Sequence, residues 1–204
     1  MGHSIKKAMI LAAGLGTRMA PVTDSIPKPL VPILNIPNII HNIQLLTHAG
    51  IEEIVINTFH LGSKLAEALG DGTSLGVQLH YSVEETLLGT GGGVKHAEKL
   101  LGNEAFVLCN SDLITDLDLN AAIDFHFSHE ALATMVLLDD AKKKRRYANV
   151  GTDEAGRLCQ LPSKTTRAPN RTGIFTGIHI LQPDAHRYLK PVFSGINQVL
   201  YPQL

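Results

Sequence analysis

The sequence predicts an α/β protein: a mostly parallel sheet flanked by helices, with a smaller mixed lobe toward the C-terminal end. Two observations carry that prediction. Short apolar runs alternate with stretches of helical spacing through roughly the first 140 residues, as βαβ units do. From Tyr147 onward the pattern changes to short strands about a turn.

The elements follow in order. "KKAMILAAG" reads as a short buried strand ending in small residues. "PNIIHNIQLLTHAG" carries apolar residues at helical spacing and a glycine stop, so it reads as a helix. "IEEIVINTFH" is a β-branched strand, "LGSKLAEALGDG" a helix ending in a turn, and "VQLHYSVE" an alternating strand. "TGGGVKHAEKLLG" enters a helix through glycines, and "AFVLCNSDLITD" is a strand that exits into polar residues, with Phe106 and Val107 in the core. "NAAIDFHFSHE" is helical and "LATMVLLDD" is a strand. "YANVGTDEAGRLCQLPSK" gives two short strands about a DEAG turn, and "GIFTGIHILQP" a further strand. The sum is Rossmann-like, with one domain over 1–204: a first portion over 1–140 and a second over 141–204.

Composition narrows the function classes. Of 204 residues, 44% are hydrophobic and 18% charged, which suits a globular chain with a full core. A net charge of −1 gives no electrostatic case for nucleic acid or a membrane surface. No signal peptide is visible, and no apolar run approaches the roughly 20 residues of a membrane span. Two cysteines without a framework suggest a reducing compartment, so the expected location is cytoplasmic.

Chemistry concentrates where the first strand ends. In open α/β sheets ligands bind beyond the carboxyl ends of the strands. The loop after Ala12 and Ala13 lies there, and its Gly14 and Gly16 let backbone approach a phosphate and aim N–H groups at it. Arg18 adds a forked cation and Lys28 a compact one, with Pro27 and Pro29 restricting the chain around the ammonium. Taken alone the two glycines also fit a structural turn. A dinucleotide fingerprint would need glycine at Met19, and a Walker A loop would need Gly-Lys-Ser/Thr.

As a unit, "LAAGLGTRMAPVTDSIPKPLVPI" closely resembles the signature of the sugar-1-phosphate nucleotidyltransferases, G-x-G-[ST]-R-[LM]-x-P-x-T followed by P-K-P. "EETLLGTGGGVKHA" resembles that family's base-reading loop, "VLCNSDLITD" its metal-binding strand end and "FTGIHILQPD" its sugar-contacting strand. "LLGTGGG" is similar both to N-acetylmuramate-1-phosphate uridylyltransferases and to mannose-1-phosphate guanylyltransferases.

The resemblance implies a reaction and a set of roles. A nucleoside triphosphate and a sugar-1-phosphate are the partners, giving a nucleotide-sugar and pyrophosphate with UTP or GTP as donor. Arg18 would hold the leaving pyrophosphate, Lys28 would balance charge near the α-phosphate, and backbone from Ala12 and Ala13 through Gly14, Gly16 and Thr17 would cradle phosphates. Asp112 would hold Mg²⁺, a hard cation suited to a carboxylate oxygen. Glu84, Gly89 and Thr90 fall where the family reads the base, with the glycines letting a flat base lie on backbone. Tyr147, Lys164, Thr176 and Gly177 fall on the sugar-phosphate side. The family's Glu-Lys-Pro is Ser163-Lys164-Thr165 here, so the carboxylate that often grips a sugar hydroxyl is replaced.

A second family aspartate, in an Asp-x-Gly-[ST]-Pro segment, has no counterpart in these residues. The expectation is a chain shortened at its C-terminal side, with a possible homo-oligomer through an unpaired sheet edge. The alternative reading is a nucleotide or nucleotide-sugar binding module with impaired catalysis. Other features read blandly: Asp116 and Asp118 as turn and helix-cap residues, His126 and His129 as a helix-face pair, and Lys142 to Arg146 as a solvated loop.

Overall fold

The computed structural model describes residues 3–162 and 164–204. Its elements in chain order are β1 (Lys7–Leu11), β2 (Pro32–Ile33), β3 (Ile36–Pro37), α1 (Asn38–His48), β4 (Glu53–Thr58), α2 (Gly62–Leu69), β5 (Gln78–Val83), α3 (Gly89–His96) and α4 (Glu98–Leu101). They continue with β6 (Phe106–Asn110), α5 (Leu119–Ser128), β7 (Ala133–Leu138), β8 (Asn149–Thr152), β9 (Leu158–Leu161), β10 (Lys164–Thr165), β11 (Arg171–Leu181) and α6 (Ile196–Val199). The fold is mixed α/β with a large, mostly parallel sheet flanked by helices, as the sequence predicts. The contacts divide it into two compact units, Met1–Thr134 with His179–Leu204, and Met135–Ile178.

The first unit is built on parallel strands in the order β6–β1–β4–β5. Ala8 to Ile10, Ile54 to Ile56 and Phe106 to Leu108 are all buried, the near-continuous apolar run expected of strands covered on both faces. Register then decides what meets at the carboxyl ends. Leu11 pairs with Asn57 on one side and Asn110 on the other, so the residues just past them emerge side by side.

Helix α1 buries Ile39, Ile43 and Leu46, the stripe its spacing predicts, and stops where Gly50 takes φ +85. Asp118 caps α5, its carboxylate accepting from the Ala121 N–H at 3.0 Å. Cys109 lies on β6, where burial pushes its thiol up to about 12, which keeps it protonated and inert. Among the described residues no helix is long and apolar enough to cross a membrane.

The second unit pairs β8 with β9 antiparallel across the DEAG turn, where Gly156 adopts φ +79. Asp153 fixes that turn by accepting from the Arg157 N–H at 2.8 Å and pairs with Arg167. β10 continues the antiparallel run beside β9, and the first part of β11 lies antiparallel to β8. The sequence reading does not include β10, α6 or the hairpin β2–β3, which turns through Leu34 and Asn35 at φ 53 and 65.

Candidate active site

The loop after β1 owes its shape to one glycine and offers the other to solvent. Gly16 sits at φ +66, and a Cβ there would meet Thr23 Cγ2 at 2.9 Å and Lys28 Cβ at 3.2 Å. The Gly16 carbonyl accepts from Thr23 Oγ1 at 2.9 Å and from the Met19 N–H at 2.8 Å. This folds the segment back so that the Lys28 stem packs against the loop. Gly14 is different: a Cβ there would meet nothing within 4 Å. Gly16 serves the fold, and Gly14 leaves room for something else.

A cleft of about 320 Å³ opens at the carboxyl ends of β1, β4 and β6, within the size range of small-ligand sites. Leu11 to Gly14 form one wall, Arg18, Lys28 and Pro29 another, and Asn57, Leu87, Gly89 and Thr90 a third. Asn110, Ser111 and Asp112 close it from the end of β6. Lys28 Nζ pairs with Asp112 Oδ2, both side chains partly exposed. Arg18 has no ion-pair partner among the described residues, so its fork is available to an anion.

Of the residues singled out from the sequence, Ala12, Ala13, Gly14, Arg18, Lys28, Gly89, Thr90 and Asp112 meet in this cleft. Gly16, Thr17 and Glu84 do not line it. Glu84 is 3% exposed and its carboxylate is fully engaged. One oxygen accepts from Asn57 Nδ2 at 2.7 Å and the other from the Leu88 N–H at 2.9 Å. Asn57 in turn accepts from the Ala12 N–H at 2.8 Å. Sequence reasoning missed Asn57, Asn110 and Ser111; the available signal was a polar residue closing each of the apolar strands "IVIN" and "VLCN".

The sequence reading places the glycines of α3 under a flat base; in the structure their backbone is also packed closely against other segments of the chain. Three consecutive glycines are poor helix formers, so packing must hold this helix. A Cβ on Gly89 would sit 2.6 Å from the Ser194 carbonyl oxygen, and one on Gly92 2.2 Å from that of Val192. The Gly91 N–H donates to Ser194 O at 2.8 Å, and the Ile196 N–H to Thr90 Oγ1 at 2.8 Å. The helix entry is therefore pressed onto the segment 192–196. Gly92→Ala is expected to cost about 2–3 kcal/mol of stability, whereas Gly14→Ala should stay within about 0.5 kcal/mol. Urea unfolding of both variants checks the contrast.

The second unit carries the remaining candidates. Tyr147 is 62% exposed, Lys164 lies on β10, and Gly177 takes φ +96 on β11. The Thr176 hydroxyl donates to the Val136 carbonyl at 2.9 Å. Ser163 lies outside the described residues. Among those described, no group of three or more His, Cys, Asp or Glu side chains could hold a metal ion. His126 and His129 do not share a ligand: His126 contacts Thr134 and Gln182, while His129 stacks on Phe125.

With the site described, comparison with known proteins decides the family. The family described as "Nucleotidyl transferase" matches residues 7–197. The chain belongs to it. A UTP–glucose-1-phosphate uridylyltransferase of Synechocystis is 34% identical over 196 residues, covering 90% of this chain and 50% of that protein. A mannose-1-phosphate guanylyltransferase of Mycobacterium tuberculosis is 35% identical over 162 residues, covering 79% and 45% respectively. An N-acetylmuramate alpha-1-phosphate uridylyltransferase of Neisseria meningitidis is 48% identical over 117 residues, covering 57% and 51%. Among solved structures, HddC from Yersinia pseudotuberculosis superposes with a TM-score of 0.80 at 25% identity, covering 98% of this chain and 87% of that one. The chain spans about half the length of the curated relatives it matches.

Proposed function

We propose that this nucleotidyl transferase moves a nucleotidyl group from a nucleoside triphosphate to a sugar-1-phosphate, releasing pyrophosphate. The observation that carries the reading is one cleft in which the Ala12–Gly14 backbone, Arg18, Lys28 and Asp112 converge. A sugar-phosphate oxygen attacks the α-phosphorus, and the bond to the β-phosphate breaks. Such a displacement between polyanions requires alignment and positive charge more than covalent help. Arg18 binds the leaving pyrophosphate, Lys28 balances charge near the α-phosphorus, and the loop backbone orients the phosphates. We assign the nucleotide to the portion 1–140 and the sugar phosphate to 141–204, with Tyr147, Lys164, Thr176 and Gly177 as its candidate contacts.

The donor set fits Mg²⁺. This ion is commonly bound through one or two carboxylates together with substrate phosphates, and Asp112 presents one carboxylate in the cleft beside the neutral Ser111 and Asn110. When bound there, the ion supplies charge neutralisation on the phosphates. The donor is UTP or GTP, and we favour UTP because 48% identity to a uridylyltransferase spans the residues matched in that relative.

Thermal shift with UTP, GTP, CTP and dTTP plus Mg²⁺, followed by pyrophosphate release with sugar-1-phosphates, tests this reading. Uridine or guanosine triphosphate should raise Tm, since a ligand that binds only the native state stabilises it. No shift with any triphosphate would overturn the proposal.

A further inference from the structure

We propose that Asn57 and Glu84 form a buried positioning pair that locks the phosphate-facing loop and the base-facing loop into one frame, Glu84 acting through its partners rather than touching nucleotide. The inference rests on the nucleotidyl-transfer reading and deepens it. Asn57 is the penultimate residue of β4, in the row that holds Leu11, and is 2% exposed. Its carbonyl oxygen accepts from the Ala12 N–H, the first amide of the loop after β1. Its amide nitrogen donates to one oxygen of Glu84, whose other oxygen accepts from the Leu88 N–H. The Glu84 N–H itself donates to the Thr58 carbonyl at 2.8 Å, which ties the pair to β4 at a second point. One side chain thus governs each loop, and the two govern each other.

Chemistry explains the residue types. Glu84 faces two donors, Asn57 Nδ2 and the Leu88 N–H, so both of its oxygens must accept. A carboxylate does this; a glutamine in the same pose turns its own donor toward one of them. No Lys, Arg or His forms an ion pair with Glu84 among the described residues, so hydrogen bonds alone hold this buried charge. A buried carboxylate without a cation is costly, and a fully satisfied polar network of this kind fixes geometry. Helix α3 is shaped to admit it. A Cβ on Gly93 would lie 2.8 Å from both Asn57 Nδ2 and Glu84 Oε1. Gly93 is therefore the opening through which the pair reaches across the helix entry.

The donor–acceptor direction gives a test that simple truncation does not. In Asn57→Asp an acceptor faces the Glu84 acceptor; in Glu84→Gln a donor faces either Leu88 or Asn57. In the double variant the introduced amide donates to the introduced carboxylate, and its carbonyl accepts from the Leu88 N–H. That carboxylate still accepts from the Ala12 N–H, so every bond returns with the charge moved one side chain. Each single variant is expected to lose about 4–8 °C in Tm, and the double variant to regain most of that loss.

A merely structural pair would stop there. A positioning pair also changes the ratio of triphosphate to inorganic pyrophosphate affinity, since pyrophosphate engages the first loop and the triphosphate engages both. That ratio should fall about tenfold in each single variant and return in the double variant, even where the relocated charge weakens both ligands. Additive Tm losses would overturn the pair, and an unchanged affinity ratio in the single variants would overturn its positioning role. Wild-type protein with no affinity for any triphosphate would instead overturn the nucleotidyl-transfer reading.

Discussion

Between pH 7.5 and pH 5 the protein is expected to lose about 4 kcal/mol of stability, a large share of what a domain possesses. The cause is buried histidine. Burial pulls His126 down to about 4 and His179 to about 3, against an ordinary value of 6.5. With the Gln182 amide nitrogen donating at 3.0 Å, His126 Nε2 accepts, so Nδ1 carries the proton toward Thr134 Oγ1 at 2.8 Å and the ring is neutral. His179 Nδ1 meets the Tyr201 hydroxyl at 2.6 Å. His186 is shifted in the same direction, chiefly by burial, with Glu98 opposing and Lys95 reinforcing.

The sign follows from proton counting. Below pH 6.5 the unfolded chain takes up protons that the folded chain refuses, so stability is present above that pH and drains as the pH falls toward the folded values. Each of His126 and His179 contributes about 2 kcal/mol by pH 5. Asp71, Asp140 and Glu98, held below their ordinary values by hydrogen bonds, add to the loss only at lower pH. Urea unfolding at pH 7.5, 6 and 5 reads the slope directly, and a flat profile would sink the expectation. His186→Phe sharpens the test. Among the described residues neither buried ring nitrogen of His186 has a hydrogen-bond partner, and its ring stacks on Phe106 at 5.5 Å, so phenylalanine keeps the stack and removes the proton site. That variant should be more stable at every pH and less sensitive to acid.

How much of this is visible in the sequence depends on the scale of the signal. Strand and helix alternation is legible because each run carries enough apolar residues to fix its period, as in Ile39, Ile43 and Leu46 of α1. The meeting of the β1 and β6 ends at a cleft is legible because open sheets leave a crevice at the strands' carboxyl ends, and Gly14 and Asp112 line that cleft. Asn57 is not legible, since it falls within an apolar strand run whose pattern does not mark it and its partners lie 45 and 27 residues away. The packing role of the α3 glycines is hidden for a related reason. A glycine says that space is needed beside the backbone without saying what fills it; here the segment 192–196 fills it beside Gly89, Gly91 and Gly92, and Asn57 with Glu84 beside Gly93. His126 reads as one of a helix-face pair with His129 because helical spacing locates a face but not its burial.

Asp112→Asn is expected to slow magnesium-dependent pyrophosphate release about 10²–10³-fold while leaving stability within about 1 kcal/mol of wild type. The second half follows from exposure: Asp112 and Lys28 form an ion pair whose side chains are 39% and 26% exposed, so solvent screens the pair. The first half follows from what that pair does in the ligand-free cleft. Asp112 and Lys28 pair with each other in the ligand-free cleft; under the proposed function, phosphate would compete for the ammonium and a divalent cation for the carboxylate. Lys28→Met and Asp112→Asn should therefore diverge in one respect although both impair turnover. In EDTA, loss of the aspartate removes negative charge from the cleft and leaves Lys28 to the phosphates, so triphosphate affinity should hold or rise. Loss of the lysine should lower affinity with or without magnesium. Calorimetric titration of each variant in the two buffers distinguishes them. Equal losses in EDTA would mean that Asp112 supports the fold of the cleft rather than the cation, and wild-type turnover by Asp112→Asn would remove it from the reaction altogether.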